Sequence, residues 1–282
     1  MGISVLSQDF RREWTARLFG GARFEFGFGM RRGKDESWFH WDGWDRNALD
    51  ERRHWIEVRP EWSVVWNSRA DRLLDEALTL FPKTDVLGLK QVSGLDRAKA
   101  LCRAWEPDWL LLSQRDNGEF HLDGAIVCFP SSWDVREKAD RSITDVHSIV
   151  PTLNENLGAR IRSFLSRLPE DGLFERENWG LAATCELNAH PERGLPRLGA
   201  VATLDRTWLR LEHQAFRRLP RNQGLLFALR VEVFRLDELL LEDEAKGDFA
   251  RMMETMPPEV ASYKGVEMAR SSLIRQCQPA NG

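Results

Sequence analysis

Two stretches carry the residue types that could do chemistry. The first runs from Gly124 to Pro151 and ends on a histidine in apolar company, His147, with Val146 and Ile149 beside it. An imidazole against an apolar background is a candidate metal or cofactor ligand. A lone histidine so placed is, however, more often a hydrogen-bonded core residue. The second stretch is Thr207 to Leu219. Strand alternation puts Trp208, Arg210, Glu212, Gln214, Phe216 and Arg218 on one face, and Leu209, Leu211, His213 and Ala215 on the other. Arg210 and Glu212 share a face and can orient one another. Glu212 is either part of a solvated outer face or an anion aimed into a pocket, able to hold an ammonium group. Arg217, Arg218 and Arg221 cluster at the next turn, as plain surface charge or as a site for carboxylates or a docking partner.

The elements that position these residues follow from hydrophobic period and punctuation. Residues 125–129 are an apolar run between Gly124 and Pro130 and read as a buried strand. Asp134 is placed to cap a short helix through Glu137 and Lys138. Thr152 and Glu155 have the spacing of a capping box for a helix with Leu157, Ile161, Phe164 and Leu168 on its apolar face. Before residue 106 the period is mainly helical. Phe10, Trp14 and Leu18 form one face within 1–21, and further helices are expected over 45–56, 68–80 and 96–105. Between them, Phe24, Phe26 and Phe28 alternate like a short strand over 23–30, and 31–36 reads as a charged loop. Trp38, Trp41 and Trp44 lead into the next helix. After residue 106 strands are expected over 109–113 and 120–129, joined by an Asp116-Asn117-Gly118 turn. Another is expected over 179–187. A long pair over 207–219 and 225–236 is joined by Pro220 to Gly224. Residues 237–275 are helical again, broken at Pro257-Pro258.

This order predicts an α+β fold: a PAS-like five-stranded antiparallel sheet with helices on one face, plus helical extensions at both ends. The divisions are 1–105 as a helical cover, 106–236 as the core and 237–282 as a C-terminal extension, integrated into one domain.

Composition narrows the function. A net charge of −4 gives no reason to expect nucleic acid or an anionic membrane as partner. No apolar run approaches the roughly 20 residues of a membrane helix, and residues 1–12 lack the apolar centre of a signal peptide. The 4 cysteines form no Cys-x-x-Cys pair, which argues against a zinc ribbon or an iron–sulfur cluster and fits free thiols in a reducing cytoplasm. Twelve tryptophans against one tyrosine supply large core side chains, or an aromatic lining for a flat cofactor or a cationic ligand.

Several motifs in order resemble one family. Gly124-Ala-Ile-Val-Cys-Phe-Pro-Ser-Ser-Trp-Asp134 with Glu137-Lys138, followed by His147-Ser-Ile-Val-Pro151, is similar to the central signature of the heme-dependent oxidative N-demethylases. Arg176-Glu-Asn178-Trp179 resembles that family's Arg-x-Asn-Trp. Leu209 to Pro220 resembles its glutamate-bearing strand. Phe227-Ala-Leu-Arg230, Tyr263-Lys-Gly265 and Phe26-Gly-Phe-Gly29 resemble shorter motifs. The likeness spans roughly residues 22 to 268. Where the family usually reads Glu-Arg-Gln, this chain has Glu212-His213-Gln214, which exchanges a fixed cation for a titratable group.

The resemblance implies a PAS-like heme domain in which His147 is the axial ligand of the iron, with His213 as a second candidate. It implies oxygen-dependent removal of a methyl group from a small amine as formaldehyde. Glu212 would hold the cationic amine, with Arg210 and His213 beside it in the catalytic site. Arg141, Arg217 and Trp133 are the further candidates to contact the cofactor. The chain has no glycine-rich nucleotide fingerprint, so electrons would come from separate flavin or iron–sulfur reductase proteins or from a peroxide. Two other readings stand beside this one: a non-catalytic heme or gas-sensing module, and a heme-free partner-binding relative.

Overall fold

The computed structural model describes residues 6–39, 46–80, 88–89 and 91–278. Helix α1 (Gln8–Phe19) begins where the Ser7 hydroxyl accepts from the Phe10 N–H. The stretch 23–30 is irregular rather than the expected strand. Its phenylalanines serve different cores: Phe24 and Phe26 pack toward the C-terminal helices, while Phe28 sits edge-on to Phe164. The strand comes just after, as β1 (Arg31–Gly33), where a loop is expected, and α2 (Asp35–Phe39) follows. His40, Trp41 and Trp44 lie outside the described residues. Helix α3 (Arg46–Val58) leads through α4 (Pro60–Ser63) into β2 (Val64–Trp66), α5 (Ser68–Leu80) and α6 (Gly94–Ala104).

Strands β3 (Asp108–Gln114) and β4 (Phe120–Ile126) form the hairpin announced by Asn117-Gly118, with Gly118 in the left-handed region at φ +82. Asp134 caps the single 3₁₀ turn Val135–Lys138 by accepting from the Arg136 N–H. Helix α7 (Ile143–His147) carries the capping box, with Ser142 and Asp145 bonding reciprocally. Thr152 and Glu155 do not form one. Thr152 has φ +57, a left-handed conformation that no N-cap adopts, and the chain winds on through a π-helical turn (Asn154–Gly158) into α8 (Ala159–Ser166).

Strand β5 (Leu173–Ala182) starts earlier than the expected 179. Charges on both of its faces hide the period from a hydropathy reading. The long pair β6 (Trp208–Leu219) and β7 (Gly224–Arg235) matches expectation, and α9 (Leu236–Leu239), α10 (Asp243–Thr255), α11 (Pro258–Tyr263) and α12 (Arg270–Cys277) complete the chain.

The strands make one antiparallel sheet in the order β1-β5-β6-β7-β3-β4-β2, seven strands rather than five. The two extra strands are the short edges β1 and β2. Helices cover both faces, not one. On the first face Leu111, Ala215, Leu226 and Ala228 pack against Leu73, Leu74 and Leu101 of α5 and α6. Farther along it Leu209 and Leu211 meet Phe249, Met253 and Leu273 of α10 and α12. On the second face Leu112, Leu225, Phe216 and Phe227 meet Phe164 and Leu165 of α8. The segment 131–170 therefore lies across the sheet as a separate layer, and the site is between the two.

One buried ion pair fixes where the chain enters that layer. Asp108 pairs with Arg52 and accepts the Cys128 and Phe129 N–H groups at 2.8 and 3.1 Å. Both side chains are almost fully buried. Cys102 and Cys128, remote in sequence, meet beside this pair with sulfurs 3.2 Å apart.

Candidate functional site

Strand register brings a polar group together on the second face of the sheet. Asn178 lies opposite Glu212 and Arg176 opposite Gln214 across the β5–β6 ladder. Side chains two apart on a strand share a face, so Arg176, Asn178, Glu212 and Gln214 form a cross-strand square. The Glu212 carboxylate is held at both oxygens. Ser131 donates its hydroxyl to Oε1 at 2.5 Å, while Asn178 and Gln214 donate side-chain amides to Oε2 at 3.2 and 3.1 Å. Ser131 comes from the loop after β4, so the carboxylate joins the sheet to the layer that covers it.

Arg176 is the unusual member. Its pKa is drawn down by burial, against the attraction of Glu212 and Glu177. Its Nε is buried without a hydrogen-bond partner among the described residues. Glu177 points to the opposite face, where Arg31 donates to it at 2.8 and 2.5 Å. Glu212 spends its oxygens on three other donors. Its Nε is thus left with charge attraction and no acceptor among the described residues.

His147, at the end of α7, is half-buried and lies within electrostatic reach of Arg176. Burial, reinforced by the Arg176 charge, lowers its pKa to about 4, so the imidazole is neutral at pH 7. From the other side, the turn after α11 brings Tyr263 and Lys264 to β5, beyond the short stretch that β1 pairs. Lys264 donates to the Trp179 carbonyl at 2.6 Å and sits 4.9 Å from the centre of the Trp179 ring. Its pKa falls to about 8 through burial, opposed by Glu212 and assisted by Arg176. Tyr263 is raised by burial and then by the Glu212 charge. The sequence reading assigned no role to Arg176, Asn178, Ser131 or Lys264. Two of its family-like motifs contain Arg176, Asn178 and Lys264, but only the β5–β6 register, with the turn after α11, brings them toward Glu212.

The other predicted residues take separate places. Arg210 shares the face of Glu212, yet its guanidinium is buried among backbone carbonyls. It donates to Glu186 at 3.0 Å, Phe129 at 2.8 Å, Pro130 at 3.3 Å and Leu187 at 2.6 Å, and its Nε donates to Ser131 Oγ at 2.8 Å. It therefore staples the loop after β4 to the 186–187 segment and holds the serine that holds Glu212. His213 is on the opposite face, with Nε2 3.0 Å from Glu232 and its ring edge-on to Trp14 at 5.2 Å. Arg217 also points away from Glu212 and donates to the Glu170 and Gly172 carbonyls at 3.2 and 2.7 Å. Arg141 is exposed, and Trp133 packs half-buried on the second-face core.

A second cluster, Asp134, His190 and Glu192, has ligand atoms within 4.8 Å of one another. Its chemistry is that of a closed ion network. Arg136 bridges the two carboxylates, reaching Asp134 at 2.5 Å and also bonding Glu192. His190 Nδ1 accepts from the Glu192 N–H at 3.3 Å, which leaves the proton on Nε2, 3.6 Å from Asp134. Trp62 stacks on that imidazole at 4.4 Å. A nitrogen carrying a proton is not a metal ligand. A cleft of about 450 Å³ lies elsewhere, lined by Arg69, Arg115 and Asn222 among others, and contains no member of the Glu212 group. Among the described residues no helix is long and apolar enough to cross a membrane.

The family comparison agrees with the motif order. Residues 74–274 match the family described as haem-dependent oxidative N-demethylase, alpha subunit-like. That span holds His147, Arg176, Glu212 and Lys264, and it covers most of the sheet and the layer across its second face. By this match, the chain is a member of the haem-dependent oxidative N-demethylase alpha-subunit-like family.

Proposed function

We propose that this chain is the heme-binding, amine-demethylating subunit of a multi-component mono-oxygenase. The observation that carries the reading is a neutral imidazole, His147, within electrostatic reach of Arg176, which also faces the Glu212 carboxylate that three donors hold in place. The residues fit a heme. The His147 imidazole is in the form that ligates iron. Trp133, Phe164 and Phe216 belong to the apolar core packed on the same face of the sheet as Glu212. The inner strand order β5-β6-β7-β3-β4 supports a PAS-like core.

When bound, the heme supplies the oxygen chemistry that removes a methyl group from an amine as formaldehyde, with electrons delivered by separate reductase proteins. The chain's own residues do the rest. Glu212 binds the substrate ammonium through the acceptor capacity that its three donors leave open. Ser131, Asn178 and Gln214 fix the direction of that carboxylate. Arg210 keeps Ser131 in place through the carbonyl staple. Holding these groups rigidly before the substrate arrives lowers the cost of orienting it.

The test is the absorption spectrum of protein made with a heme supply, for wild type and His147→Ala, with far-UV circular dichroism to confirm folding. A Soret band lost in the variant, and amine-dependent formaldehyde release by wild type with a reductase, are the expected results. A wild type without the band refutes the cofactor. A band without formaldehyde release across an amine panel leaves the heme-sensor reading in its place.

A further inference from the structure

The charges around Glu212 do not balance for a simple amine. Arg176 and Lys264 each lie within electrostatic reach of Glu212 and of each other; Glu177, which also attracts Arg176, is on the opposite face and committed to Arg31, so on this face two cations meet one carboxylate. Lys264 has a carbonyl and an aromatic face as partners. Among the described residues Arg176 has neither, and its Nε is buried without an acceptor. A guanidinium presents five N–H donors in a planar fork that matches a carboxylate at two oxygens. A methylated ammonium alone would bring a third positive charge into the group. An amine that also carries a carboxylate would bring none, and would give Arg176 the acceptor it lacks.

We propose that the substrate is a zwitterion, an N-methylated amino acid, whose ammonium is held by Glu212 and whose carboxylate is held by Arg176 with Lys264 nearby. This rests on the amine-binding role given to Glu212 above. It assigns Arg176 as a specificity-determining residue and narrows the substrate class to amines bearing a carboxylate a few bonds from the nitrogen. The register supports that spacing. Arg176 and Glu212 are diagonal neighbours, two residues apart along the β5–β6 ladder, and such diagonal neighbours lie about 7–8 Å apart at the backbone. Their polar ends can therefore grip opposite ends of one small molecule.

A heme propionate is the other carboxylate that could occupy Arg176, and the experiment separates the two. N,N-dimethylglycine and dimethylamine are titrated by calorimetry into the protein as purified, for wild type and Arg176→Met, and heme per chain is measured on the same samples. Tighter binding of dimethylglycine by about 10- to 100-fold is expected of wild type, from the worth of a charged hydrogen-bonded pair. Arg176→Met should bring that ratio close to one while heme per chain stays at the wild-type value. Arg176→Lys should recover part of the ratio.

A ratio near one in wild type overturns the proposal. So does loss of heme in Arg176→Met with both amines weakened alike, which would give Arg176 to the propionate. A wild type lacking the Soret band refutes the heme reading, yet the two titrations on that sample still decide whether the site selects a carboxylate.

Discussion

Replacing Arg210 by methionine tests the staple that aligns Glu212. Methionine keeps much of the buried stem and removes every donor. Of the four backbone carbonyls it serves, the three with the shortest contacts, those of Phe129, Glu186 and Leu187, lose partners at 2.8, 3.0 and 2.6 Å. Orphaning a buried acceptor costs roughly 2 kcal/mol, so the three together cost about 6 kcal/mol. Against this stands relief of the buried charge. Burial pulls the guanidinium well below its ordinary value, to about 10, worth about 3 kcal/mol at about 1.4 kcal/mol per pH unit. The net expectation is a loss of about 3 kcal/mol, read as a fall in the urea midpoint at unchanged slope. Arg210→Lys should lose less, because an ammonium can still serve some of these carbonyls. Folded Arg210→Met should retain heme, since its guanidinium is committed to the backbone. A stability loss under about 1 kcal/mol, or full stability with loss of heme, would refute the staple.

Three further outcomes follow from the same geometry. A Cβ on Gly124 would meet Ala70 Cβ at 2.5 Å and the Trp66 ring at 3.1 Å, both on packed elements; Gly124→Ala should cost about 1–3 kcal/mol in urea unfolding. Arg52→Met should cost about 3–5 kcal/mol by leaving Asp108 buried without its cation, and adding Asp108→Asn should restore part of that loss in a double-mutant cycle. Folding lowers the Lys264 pKa from 10.5 to about 8, so between those values the unfolded chain binds more protons and stability should rise with pH; Lys264→Met should flatten that rise, and an unchanged slope would contradict the burial of this amine.

Much of the architecture is legible in the sequence because hydrophobic period encodes which side of an element is buried. Helix α5 and the β6–β7 hairpin are recovered closely, since their apolar residues repeat at helical and strand spacing with turn residues between. The pattern fails where charges occupy both faces. The start of β5 is missed because Glu175 and Glu177 find Trp38 and Arg31 on one face while Arg176 and Asn178 face the site on the other. Strand β1 is missed because three residues that read as a loop become a strand only when β5 offers an edge.

The candidate site divides along the same line. Alternation alone puts Glu212 and Arg210 on one face and His213 on the other, and the ordered motifs point to the family. Sequence does not say which acceptors a cation meets. Arg210 and Arg176 are both arginines on strands facing the same layer. One has four backbone carbonyls and a serine within reach; the other has a buried Nε with no acceptor among the described residues. That difference arises from how the 131 and 186–187 loops close over one end of the sheet. Period is a local property of the chain and survives without the fold. The partner of a buried charge is a property of contacts between distant segments, so only the tertiary structure decides it.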